Sequence, residues 1–181
     1  SGGLSIAAAA SQMGVKTILI EKHLMGGDCL NYGCVPSKAL LLVGRHAELI
    51  RSLPNYGLET SSPTIKFSKV FEYIHNTISS LEANDSVERF EGLGVKVIKG
   101  HAKFRSENSV EAVGFQIKAK RFVISSGSTS VIPLIEGLDK VQYLTNKTIF
   151  RRGISPKHLI IIGGGISGVE IGQAFSNLGV K

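Results

Sequence analysis

The sequence predicts an α/β fold made of two glycine-turn units joined by helices and short strands, and three observations predict it. First, HLIIIGGGISGVEIGQAFSNLG, residues 158–179, places an apolar run, a glycine turn and a helical segment in succession. Second, SGGLSIAAAASQMGVKTILIE at the start repeats the later part of that order, a small-residue helix and then an apolar run ending in Glu21. Third, VKVIKGHAKF and NSVEAVGFQIKAKRFVISSGS alternate short strand-like runs with turn residues.

Composition bounds the possibilities. The chain has 181 residues, 43% hydrophobic and 19% charged, enough to bury a sizeable core in one domain or parts of two. Its formal charge of +7 is spread along the chain with no basic cluster interleaved with aromatics, which argues against nucleic acid as partner. No run approaches the roughly 18 apolar residues of a membrane span. LSIAAAA has the apolar character of a secretory segment but lacks a basic stretch before it, and the expected location is cytoplasmic. Starting at Ser1 and stopping at Lys181, where a helix turns toward a strand, the sequence reads as a fragment.

Residues 1–21 read as the back half of a Rossmann-like unit. In the complete pattern, glycines let the turn approach a pyrophosphate, the helix N-terminus faces its charge, and an acidic residue about 20 positions on meets a ribose hydroxyl. Gly2 and Gly3 fall at the end of the glycine turn and Glu21, followed by Lys22, at the ribose position. Close packing of glycine against a sheet and a solvated glutamate are the ordinary alternatives.

GGDCLNYGCVPSKALL, residues 26–41, holds the only two cysteines, Cys29 and Cys34. Four residues between them, including Asn31, Tyr32 and Gly33, allow a tight loop that brings the two sulfurs together. Pro36 suits the first turn of a helix, and KALLLVGRHAELI continues at helical spacing, so Cys34 is expected at a helix N-terminus. The partial positive charge there, with Lys38 one turn on, favours thiolate over thiol. A purely structural disulfide fits poorly with a core this apolar. A zinc site drawing on His23 or His46 would have irregular ligand spacing.

This stretch resembles the redox-active signature of the FAD-dependent pyridine nucleotide-disulfide oxidoreductases, which include dihydrolipoamide dehydrogenase, glutathione reductase and mercuric reductase. The resemblance implies FAD bound by the first unit, through Gly2, Gly3, Glu21, Lys22, Gly27 and Asp28. It implies that Cys34 is the thiolate beside the flavin, Cys29 the interchange thiol and Lys38 a lysine near the flavin. Asp28 departs from the family's common threonine, and a carboxylate there would raise the pKa of the Cys29 thiol.

After a polar loop around Pro54 and Pro63, residues 65–94 read as one long amphipathic helix, with His75 on a face. The strand-like runs that follow resemble the family's small β-meander and the strand returning to the FAD sheet. Gly100-His101-Ala102 resembles the adenine contact, so His101 and Ala102 are implied FAD residues. Ser125-Ser126-Gly127 stands where the family usually has Ala-Thr-Gly, which implies Ser126 and Gly127 at the flavin nucleotide.

From Val131 the periodicity weakens, as in a crossover between domains. Residues 158–165 then read as a buried strand and glycine turn, with Gly163, Gly165 and Gly168 at the fingerprint positions. By resemblance this is the NAD(P)H site. Ile166 stands where glutathione reductases carry a gating tyrosine, and Glu170 is implied to pair with Lys38.

The expected organisation is therefore an incomplete FAD-binding domain, residues 1–130, with its meander, and the start of an NAD(P)-binding domain, residues 131–181. The resemblance implies electron transfer among NAD(P)H, FAD and the Cys29–Cys34 disulfide, then to a small-molecule disulfide, dithiol or metal-ion substrate. It also implies a homodimer formed through a C-terminal domain that carries a histidine base. Wording such as GGDCLNYGC leans toward the mercuric-reductase-like branch over the lipoamide dehydrogenases. The competing readings are a non-catalytic dinucleotide-binding, redox-sensing module and a thiol oxidoreductase that uses no nucleotide.

Overall fold

The computed structural model describes residues 1–150 and 155–181; the expected second domain, 131–181, thus includes four residues outside this description. In chain order the elements are α1 (Gly2–Gln12), β1 (Ile18–Glu21), α2 (Gly27–Tyr32), α3 (Cys34–Ser52), α4 (Phe67–Glu82) and α5 (Val87–Gly92). There follow β2 (Lys96–Lys99), β3 (Ala102–Ser106), β4 (Ser109–Ala112), β5 (Phe115–Lys118), α6 (Asn146–Ile149) and α7 (Ile166–Asn177). They form two compact units, one from residues 1–30 and 80–129, the other from 31–79 and 130–181.

In the first unit β1 and β2 pair in parallel, Ile18 opposite Lys96 through Glu21 opposite Lys99. Leu4 and Ala7 of α1 bury against Phe90 and Val95, with Leu19 and Val97 of the sheet packed beside them. Alanines at successive turns leave α1 with little side-chain bulk to hold it off the sheet. The Ser11 hydroxyl donates to the Leu93 carbonyl at 2.5 Å and ties the end of α1 to the turn before β2. The meander is an antiparallel sheet in the order β3-β4-β5, with β4 buried and Phe104 edge-on to Phe122 at 5.1 Å.

The core of the second unit is larger. Val70, Phe71 and Ile74 of α4, Leu40 and Ala47 of α3, and Ala174 and Phe175 of α7 bury together with Leu178 and Val180. The short helix α6, begun by a Thr145–Thr148 capping box, adds Ile149 and Phe150 to this core. In the sequence this segment belonged to the aperiodic crossover, because four residues are too few to show a period.

Helices α3 and α7 run in the same direction, pairing Ser37 with Glu170, Gly44 with Ala174 and Arg51 with the Asn177 carbonyl. Gly44 makes the close approach possible: a Cβ on it would stand 3.0 Å from the Ala174 carbonyl oxygen. After α7, Gly179 takes a left-handed φ of 87°, and Val180 N–H donates back to the Phe175 carbonyl at 3.0 Å. Lys181 then exchanges backbone bonds with Lys157 and Leu159, the pattern of parallel pairing.

Four expectations are corrected. The helix expected over 65–94 is broken between α4 and α5, where Asn84, Asp85 and Ser86 offer the backbone side-chain partners outside a helix. There the Ser86 hydroxyl accepts from Arg89 N–H at 3.2 Å and starts α5 afresh. Residues 121–127 form no strand and lie largely exposed. Residues 158–162, expected as a buried strand, likewise form none, with Ile160 and Ile162 exposed and backbone pairing there, among the described residues, confined to Leu159 with Lys181. Strand status requires a hydrogen-bonded neighbour, which local hydrophobicity cannot supply. Finally, β1 is half-buried rather than buried, its Ile18 facing outward.

Candidate functional site

The cysteine loop is set by glycine. Gly26 and Gly27 have φ values of 87° and 64°, so two successive residues occupy the left-handed region that other residues rarely enter. A Cβ at Gly26 would also strike the Leu30 side chain at 2.3 Å. From this turn α2 carries Cys29, and α3 begins at Cys34 after Gly33. Both cysteines are disulfide-bonded, and neither is free. Cys34 is exposed at the helix start, and the Ser37 N–H donates to the Gly33 carbonyl at 3.0 Å to close the first turn. Among the described residues no three His, Cys, Asp or Glu are grouped to hold a metal ion.

One turn along α3, Lys38 Nζ meets Glu170 Oε1 at 2.5 Å, joining residues 132 positions apart. The buried Ser37 hydroxyl donates to the other oxygen, Oε2, at 2.7 Å. Adjacent residues on one helix point about 100° apart, yet both reach this carboxylate because it sits between them. The Lys38 and Ser37 hydrogen bonds hold the Glu170 carboxyl below the ordinary carboxylate range, against a smaller opposing effect of burial. The pair therefore persists at neutral pH and is lost only as pH falls through that lowered value. The Lys38 side chain is 61% exposed and that of Glu170 22%, so the anchored partner is the carboxylate. A pair this open contributes at most about 1 kcal/mol to stability, so its significance lies in where it holds the ammonium. The sequence points to Lys38 and Glu170 but not to Ser37 as a partner. Its spacing of seven residues from Gly44, on the face turned to α7, is the signal that could have found it.

In the first unit several of the residues implied for FAD come together. A Cβ on Gly3 would lie 3.3 Å from that of Ser125, tighter than an ordinary contact, so Ser125 comes close to the start of α1. Asp28 turns toward Gly127, which has a φ of 74°; a Cβ on Gly127 would meet the Asp28 carboxylate at 3.2 Å. Glu21 lies at the carboxyl end of β1, its carbonyl accepting from Gly100 N–H at 2.9 Å, which sets Gly100-His101-Ala102 at the same sheet edge. Ligands of open α/β sheets bind at such edges. The Glu21 carboxylate also accepts from His23 N–H at 2.8 Å, capping the turn. Lys22, His101, Ala102 and Ser126 are exposed.

The glycine turn of the second unit is equally specific. Gly163 has a φ of 111°, and a Cβ on Gly168 would be 2.5 Å from the Gly163 carbonyl oxygen, so the third glycine is what lets α7 cross the turn. Gly165 is the N-cap of α7 and faces open space, as does the 82%-exposed Ile166. Helix geometry leaves the first N–H groups of α7 without an intrahelical partner, and a helix start behind a glycine turn is the kind of position that receives phosphate.

The match to the pyridine nucleotide-disulphide oxidoreductase family runs over residues 1–181. The chain belongs to this family. It is 39% identical over 181 residues to a mercuric reductase of Bacillus cereus, covering 99% of this chain and 29% of that protein. It is 31% identical over 185 residues to a dihydrolipoyl dehydrogenase of Acholeplasma laidlawii, covering 99% of this chain and 55% of the relative. Its fold superposes with a TM-score of 0.81 on the HOCl-induced flavoprotein disulfide reductase RclA of Escherichia coli, at 24% identity over 98% of this chain and 38% of that one. The chain spans about a third of the mercuric reductases it matches. A pyridine nucleotide-disulphide oxidoreductase of the mercuric reductase and lipoamide dehydrogenase type accounts for the α/β fold, the glycine turns and the bonded cysteines together. Among the described residues no helix is long and apolar enough to cross a membrane.

Proposed function

We propose that the intact protein is a flavoprotein disulfide oxidoreductase in which Cys29 and Cys34 carry electrons between NAD(P)H-reduced FAD and a substrate. The observation that carries this reading is the bonded cysteines, Cys29 in α2 and Cys34 opening α3, with Cys34 one turn from an ammonium held by Glu170. In this reading residues 1–130 hold FAD and residues 131–181 begin the NAD(P)H domain. FAD suits the first unit because Gly2 and Gly3 open α1 and leave its N-terminal backbone without side chains. When bound, FAD accepts a hydride from NAD(P)H and makes two electrons available.

The disulfide takes those two electrons and a proton, and its S–S bond breaks to one thiol and one thiolate. Position at the N-terminus of α3 favours the thiolate at Cys34. Cys29 gives up its proton and, as thiolate, attacks one sulfur of a substrate disulfide; a mixed disulfide forms and the departing sulfur takes that proton and leaves as a thiol. The Cys34 thiolate then attacks Cys29, releases the second substrate sulfur as a thiolate and restores the ring. A dithiol substrate runs the same steps in reverse. The mercuric reductase relatives favour a metal ion as the alternative electron acceptor. The reading further takes the intact protein to be a cytoplasmic homodimer.

Gly165→Leu tests the nucleotide half of the proposal without disturbing the fold, because a Cβ at this position meets nothing within 4 Å. The expected result is a tenfold or greater loss of NAD(P)H affinity, about 1.4 kcal/mol or more, with the melting temperature lowered by no more than the few degrees that a poorer N-cap costs. Unchanged affinity would remove NAD(P)H from this turn.

A further inference from the structure

We propose that Ser37 is a positioning residue of the redox site, whose hydroxyl fixes the Glu170 carboxylate so that its free oxygen holds the Lys38 ammonium beside the start of α3. The inference rests on the electron-transfer reading above, but it stands on its own geometry. Ser37 is 6% exposed, and its oxygen lies 2.7 Å from Glu170 Oε2 and 3.4 Å from the Cys34 carbonyl. A hydroxyl has one proton, and the nearer, charged acceptor takes it. Ser37 is thereby committed to the carboxylate, while its own N–H closes the turn that begins at Gly33.

Without that hydroxyl, Oε2 loses the Ser37 donor, and among the described residues Lys38 alone remains to orient Glu170. Lys38 is a largely exposed ammonium on a flexible four-carbon stem, the sole charged group that bears on Glu170 among the described residues. The carboxylate would follow the lysine rather than fix it, and the pair would relax into an ordinary surface ion pair. Ser37 thus converts an exposed lysine into one of defined position, through a carboxylate reached from a different helix. Small-residue packing at Gly44 and Ala174 supports the contact by keeping α3 and α7 close enough for it to form.

The test uses the intact, FAD-loaded protein labelled with carbon-13 at glutamate carboxyls. The Glu170 resonance is the one that disappears in Glu170→Gln. Ser37→Ala removes one buried atom and introduces the best helix former, so α3 is retained, as coincident melting curves check. The Glu170 midpoint is expected to move upward in Ser37→Ala and to remain near the wild-type value in Ser37→Thr, which keeps the donor. Flavin reduction by NADH or NADPH, followed by stopped flow, is expected to slow roughly tenfold in the alanine variant and to recover in the threonine variant. An unmoved Glu170 midpoint in Ser37→Ala would overturn the proposal, as would equal displacement in both variants. The titration is read without turnover. A wild-type protein with no thiolate-to-flavin absorption would contradict the electron path alone, whereas a normal band with an unmoved Glu170 would contradict Ser37 alone.

Discussion

Cys34→Ser in the intact, FAD-loaded protein is expected to lower NAD(P)H-dependent reduction of an aromatic disulfide by a factor on the order of a thousand or more. Serine nearly matches cysteine in size and stands at an exposed first residue of α3, so the helix itself tolerates the change. What is lost is the second sulfur, without which the remaining thiol can enter a mixed disulfide but cannot leave it. Loss of the ring also removes a short cross-link worth about 2 kcal/mol in the chain-entropy account. Melting curves separate the two effects, since a few degrees of destabilisation cannot produce a thousandfold rate loss at a temperature where the protein remains folded. Turnover within tenfold of wild type would mean that electrons reach substrate by another route.

Gly44→Leu is expected to destabilise the second unit by forcing α3 and α7 apart. The atoms its new Cβ would meet are the Ala174 carbonyl oxygen at 3.0 Å and the Ala174 Cα at 3.3 Å, with the Asn177 Cβ also at 3.3 Å. Two of the three belong to the α7 backbone, which cannot swing aside as a flexible side chain would. The helices must separate, and overpacking of this kind costs about 1 to 3 kcal/mol and at times more. A drop of several degrees in melting temperature follows for a protein of this size. Separation also lengthens the Ser37–Glu170 contact two turns back along the same face, so the Glu170 titration midpoint should rise in the same variant. An unaltered melting temperature would show that α3 and α7 do not pack at this glycine.

Local chemistry accounts for what could be read in advance. Gly26-Gly27, the cysteine spacing and Pro36 each act over a few residues, so the loop and the start of α3 were legible directly. The glycine pattern at 163–168 was legible for the same reason, because the third glycine answers a steric demand five residues away. The pairing of Lys38 with Glu170 spans 132 positions and was read by family resemblance, since no local pattern links them. Strand status at 121–127 and 158–162 depends on neighbours across a sheet, and apolar runs alone suggested more than the backbone bonds provide. The break at Asn84-Asp85-Ser86 was hidden by periodicity on both sides, although all three residues are poor inside helices and good at their ends. Ser37 was overlooked because a serine on a buried helix face ordinarily satisfies itself on its own backbone.

The most direct test of the electron path is an anaerobic titration of the intact, FAD-loaded protein with NADH and then NADPH, recorded across the visible spectrum. Coupling of Cys29 and Cys34 to the flavin predicts a long-wavelength absorption from the Cys34 thiolate as two electrons are taken up, present in wild type and absent in Cys34→Ala. Flavin bleaching without that band, with the disulfide still intact by thiol counting, would contradict the account.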